Sequence, residues 1–253
     1  MDWNNLRRLA GKCSYRGMPW DFWLIFIFLG VVVPWRGRVR LRRLLEKPAI
    51  SSAEKIRLYA GTIAGQWVLV GVVAWRCVAR GLTAGELGLG SPWRARLIAG
   101  ALIGAAVLCG LHWLRLKKAG RMQGAAVETM RKLAVRILPA SQSELVIYIG
   151  LALTAGICEE FLYRGFVMAA LVRLGLAGWW VLLASSALFG LAHAYQGWGG
   201  VIGTFVIGLV FGISREWYGN LFPAIVWHAG VDVVAGIAGP RYLFRTADSE
   251  ENA

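Results

Sequence analysis

The feature that most constrains this chain is a series of stretches, each of roughly 20 residues, that carry almost no charge. Segments of that length and polarity read as membrane-spanning helices. Composition agrees: 57% of residues are apolar and 17% charged, against about 25% charged in soluble domains. The pattern predicts an all-α, polytopic transmembrane helix bundle of about six to eight spans. One integral membrane domain suffices, divided into N-terminal spans and basic loops over 1–138, a core over 139–240 and a polar tail over 241–253.

The net charge of +14 does not mark a nucleic-acid binder. Lys and Arg fall mainly between apolar segments, where cytoplasmic loops collect them. Two basic loops are expected, 36–58 and 115–143, both facing the cytoplasm. The densest run, Arg36, Arg38, Arg40, Arg42 and Arg43, suits anionic lipid headgroups. The apolar run Phe22–Trp35 is short for a full span. Residues 1–19 read as a basic interfacial segment, without a signal-peptide cleavage pattern. Arg76 is placed to snorkel from the end of a span over 59–79. Ser141 and Glu144 have capping-box spacing, so a helix starts there and runs toward Leu174. Trp20, Trp35, Trp75, Trp93, Trp113, Trp179, Trp180 and Trp217 recur at segment ends as interfacial belts do. Four glycine pairs at i,i+4 spacing (61/65, 100/104, 199/203, 208/212) permit close helix approach. Cys13, Cys77, Cys109 and Cys158 show no paired spacing and read as packing residues.

Ionisable groups inside membrane helices cost several kcal/mol, so each needs a reason. Three groups stand out in the second half: Glu159-Glu160 with Arg164; Phe189 followed by His193; and His228 with Asp232. Glu160 and Arg164, four apart, share a helix face and can pair. Glu159 is turned about 100° away, toward the Tyr163 side, and stays free for general-base chemistry. His228 and Asp232 face one way. Singly, each group has a structural explanation, as an ion pair or a hydrogen-bonded core histidine. Two imidazoles and three carboxylates in neighbouring apolar helices point to a functional site. The third histidine, His112, reads as interfacial and structural.

The ordered set E-E-x-x-x-R, F-x-x-x-H and H-x-x-x-D over residues 140–240 resembles the CPBP intramembrane proteases. These include type II CAAX prenyl endopeptidases and bacteriocin-immunity relatives. The resemblance implies an intramembrane endopeptidase of a prokaryotic cytoplasmic membrane, acting on a membrane-associated substrate that is either a prenylated CAAX-like one or an unprenylated peptide. It implies that Glu159 activates water with help from His193. It further implies that His228 and Asp232 stabilise the oxyanion, while Glu160 and Arg164 hold and orient the site with Tyr163 and Phe189 beside them. Asp232 departs from the Asn of some members, because an ionised carboxylate cannot donate to an oxyanion. It is protonated, orients His228, or faces a cation. The last case makes Glu159, His193, His228 and Asp232 an acceptable zinc set; otherwise no cofactor is needed. Two other function classes fit the same residues: a non-catalytic membrane immunity or scaffold protein, and a small transporter.

Overall fold

The computed structural model describes residues 17–176 and 178–244, and within them every side chain but that of residue 126. Its secondary structure is helical. We number the helices α1 (Trp20–Leu45), α2 (Ser52–Ala79), α3 (Ala95–Arg121), α4 (Ala125–Ile137), α5 (Gln142–Arg173), α6 (Trp179–Ala192), α7 (Ala194–Tyr218) and α8 (Phe222–Leu243). Six of them, all but α4 and α6, are long and apolar enough to cross a membrane. Large apolar side chains such as Trp23, Leu24, Val68, Val72, Ile103, Leu111 and Val206 lie exposed along them. A soluble protein would not leave so much apolar surface in water. Together these mark a polytopic helical membrane bundle.

The first apolar run is not short. Residues Val33–Leu45 continue the same helix through a π turn at Phe28–Val32. The expected basic loop over 36–58 is therefore mostly helix, with only 46–51 outside α1 and α2. Arg and Leu are good helix formers, so nothing in this run stops the helix. The second expected loop, 115–143, is mostly helix as well: α3 runs through Arg121, and Ala125–Ile137 form the amphipathic helix α4.

Caps set the helix starts. Ser51 and Glu54 form a complete capping box at α2. At α5, Ser141 Oγ accepts from the Glu144 amide, but Glu144 reaches past Ser141 to the Ala140 amide at 2.7 Å. The box is thus half formed. Arg76 does not snorkel alone: with Arg80 it binds the buried Asp21, at 2.6 and 3.2 Å, tying α2 to the start of α1. Trp113 packs edge-on against Tyr242 and does not stand free in a belt. Of the four glycine pairs, 100/104 and 208/212 receive side chains from neighbouring helices, whereas Gly65 and Gly199 face open space. The tail is helical through Leu243; residues 1–16 and 245–253, with most of the interfacial segment, Cys13 and most of the polar tail, lie outside the described residues.

Contacts between connections define two ends. At one, Lys55 Nζ donates to the Leu138 carbonyl, Tyr59 to that of Ile137, and Arg136 to that of Pro48. At the other, Arg173 donates to the Gly81 carbonyl and the Leu221 amide to that of Gly88. The first end carries most of the Lys and Arg. Between the ends, α5 packs on both α2 and α8, and α6 pairs with α7.

Candidate active site

The site is assembled at mid-depth on α5. Glu159 lies 14 residues before the end of this 32-residue helix. The α-helical turns stop at Glu160, and a π turn, Phe161–Val167, follows at once. Single π turns inside α-helices often mark functional positions. Here the Tyr163 carbonyl, which takes the Met168 amide within the turn, also accepts the Ser185 hydroxyl at 2.8 Å, pinning α5 to α6.

Glu160 and Arg164 are wholly buried and paired at 2.8 Å. Arg164 also donates to the Gly208 carbonyl at 3.1 Å. Its guanidinium lies over the Phe189 ring at 4.2 Å, a favourable cation–π placement. A β-carbon on Gly208 would come within 3.0 Å of this guanidinium, so glycine is what lets α7 approach. The same Glu160 Oε1 accepts from His228 Nδ1 at 2.8 Å. Glu160 therefore has two partners, and the second was not evident from spacing because it crosses from α5 to α8. Gly156, one turn before Glu160, permits that crossing: a β-carbon there would lie 2.9 Å from Ala229 and 3.0 Å from the Ile225 carbonyl.

His193 caps the C-terminal end of α6. Its Nδ1 donates to the Phe189 carbonyl at 2.9 Å, one of the acceptors a helix end leaves open. Phe189 packs edge-on against Tyr163, His193 and His228, and Phe211 stacks on His228. Both imidazoles thus have Nδ1 tethered and Nε2 turned to one point.

That point is Glu159 Oε2. It lies 4.0 Å from His193 Nε2 and 4.0 Å from His228 Nε2, without a hydrogen-bond partner of its own. Asp232 Oδ2 stands 3.7 Å from His228 Nε2. Groups this far apart are too distant to bond directly and suit one bridging water. The Glu159 and His193 side chains keep 19% and 16% exposure and Asp232 36%, against 0% for Glu160 and Arg164. So accessible groups face the gap, and sealed ones lie behind.

Tetrahedral zinc ligands at about 2.0–2.2 Å stand about 3.4 Å from one another, closer than the 3.7–4.0 Å separations here. Among the described residues no three His, Cys, Asp or Glu side chains are grouped as a metal site. The donor types suit zinc, and they stand somewhat wider apart here than in a closed tetrahedral set.

Sequence reading missed Gln66 of α2, whose Nε2 donates to Glu159 Oε1 at 2.8 Å. A polar amide midway along an apolar span was the available signal. Cys158 is buried and sits beside Glu159 without joining the cluster. His112 is half-buried on α3, with Nε2 unpaired, and does not join it either.

No curated protein and no solved structure matches the chain. A family model does: residues 141–234 match type II CAAX prenyl endopeptidase Rce1-like. This stretch carries all six clustered residues of α5, α6 and α8, and over it the chain is similar to the Rce1-like endopeptidases.

Proposed function

We propose that this chain is an intramembrane endopeptidase hydrolysing a peptide bond of a membrane-associated, CAAX-like substrate with water activated by Glu159 and His193. The observation that carries this reading is the unpaired Glu159 Oε2, equidistant at 4.0 Å from two imidazole Nε2 atoms. The family match supports the reaction class.

Water offers two protons, and the gap offers two acceptors. With Nδ1 donating to Phe189, neutral His193 has a lone pair on Nε2. Glu159 Oε2 is the other acceptor. Water so held points an oxygen lone pair at the substrate carbonyl carbon. As the O–C bond forms, Glu159 takes the proton, and the carbonyl π electrons move to its oxygen. His228 Nε2 donates to that oxyanion when the ring carries both protons, with Glu160 on Nδ1 and Asp232 near Nε2. When the oxyanion collapses, C=O re-forms and the C–N bond breaks. The leaving nitrogen takes the proton from Glu159. Glu160, Arg164, Tyr163 and Phe189 position the imidazoles. Asp232 orients His228. The steps use protein groups and water alone. The Lys- and Arg-rich end faces the cytoplasm in this reading, by the positive-inside bias.

The test is cleavage of an internally quenched, farnesylated CAAX peptide by purified protein in lipid vesicles, with and without chelator. Wild type is expected to cleave in both. Glu159→Ala should lose about 10²–10⁴-fold in rate at an unchanged melting temperature. A Glu159→Ala variant that cleaves like wild type would sink the proposal. A folded but inert wild type, tested also on unprenylated membrane peptides, would favour a non-catalytic member of the family.

A further inference from the structure

Residues 141–234 account for the histidines and carboxylates, yet one contact to the free carboxylate comes from outside that segment. Gln66 sits 14 residues into the 28-residue α2, and α2 packs along α5. Its Nε2 lies 2.8 Å from Glu159 Oε1. The amide's orientation follows from chemistry: its oxygen, turned the other way, would face a carboxylate oxygen, acceptor against acceptor.

We propose that Gln66 is a positioning residue of the site, holding Glu159 by Oε1 so that Oε2 alone faces His193 and His228. A glutamate side chain has three rotatable bonds, and its carboxylate can present either oxygen or swing aside. Of the two oxygens, Oε1 is bound by Gln66 and Oε2 has no partner. A hydrogen bond to an ionised group is stronger than a neutral one, so this contact is well suited to fix a single rotamer. The proposal rests on the endopeptidase reading above. It adds that the catalytic unit is larger than the matched segment and includes α2.

The test pairs kinetics with a measurement that needs no activity. Gln66→Met keeps the length and removes the donor. It should lower kcat on the farnesylated peptide about 10- to 100-fold, with KM within about twofold and the melting temperature unchanged. Gln66→Leu, which also lacks the donor, should be no better. In a Glu159→Gln background, Gln66→Met should cost little more, because coupled residues are non-additive. Separately, Gln66→Cys with Glu159→Cys, in a Cys158→Ala background, should crosslink with a short bifunctional thiol reagent. Wild-type kcat in Gln66→Met overturns the proposal and leaves the endopeptidase reading standing. Failure to crosslink overturns it whatever the activity. An inert wild type overturns the endopeptidase reading and the positioning role with it, the crosslink then recording only the contact.

Discussion

Removing the Glu160 carboxylate leaves two donors without an acceptor, because Arg164 Nη1 and His228 Nδ1 both bond its Oε1 at 2.8 Å. The guanidinium is wholly buried, and an unpaired buried charge costs about 3–5 kcal/mol. Glu160→Ala should therefore lower the melting temperature sharply, and with it the yield of folded protein. The double variant Glu160→Met with Arg164→Met removes the charge and its partner together. It should regain much of the stability without regaining peptide cleavage, since His228 stays untethered. Thermal melts and the cleavage assay on the same preparations check both statements. A double variant with wild-type activity would show that the tether to His228 is dispensable. Glu159, one residue earlier, is expected to behave in the opposite way, costing activity with little change in stability, because its Oε2 is bonded to nothing and only the Gln66 hydrogen bond to Oε1 is lost.

At the scale of helices, the distance between α5 and α8 decides whether Glu160 reaches His228. Gly156 sets that distance. An added methyl would meet the Ala229 β-carbon at 2.9 Å and backbone atoms at 3.0 Å, and backbone cannot rotate away. Gly156→Ala should thus destabilise by about 1–3 kcal/mol and reduce cleavage further than the fraction unfolded explains. Gly65→Ala on α2, where a β-carbon meets nothing, is the control and should be neutral. Measuring melting temperature and kcat for the pair tests this. Which helices meet was only partly legible in the sequence. The burial cost of charge in a membrane exposes Glu159, Glu160, Arg164, His193, His228 and Asp232, and i,i+4 spacing exposes the pairs within one helix. Neutral or distant partners leave no such trace. Gln66 carries no charge to betray it. Asp21 and Arg76 are 55 residues apart, and nothing local announces their pairing. The π turn at Phe161–Val167 has no composition of its own. The arginine run of α1 looks like a loop because charge marks the membrane boundary without ending a helix.

Across the whole molecule, the end opposite the Lys- and Arg-rich one is held in part by a carboxylate outside the spans. Glu86, in the 80–94 connection, receives Arg173 at 2.8 Å on each oxygen and the Thr83 amide at 2.7 Å. Arg215 of α7 donates to its main-chain carbonyl at 2.9 Å. One connection thereby gathers the ends of α5 and α7 and the start of α8, the helices that frame the site. Burial by itself would raise the Glu86 carboxyl, but the Arg173 and Thr83 hydrogen bonds outweigh it and hold the group below the ordinary carboxylate range. A carboxylate depressed in the folded state stabilises it above the unfolded value of about 4.3, and that contribution is lost as pH falls below it. Other carboxylates titrate in the same window, so the comparison must be with Glu86→Gln. At pH 7 this variant should melt several degrees below wild type. As pH falls from about 4.3 the gap should close, because wild type loses what the variant never had. Melting curves of the two proteins in the same detergent, from pH 7 to pH 3, read this directly. A gap as wide at pH 3 as at pH 7 would mean that the glutamate's shape and packing, and not its charge, hold this end together.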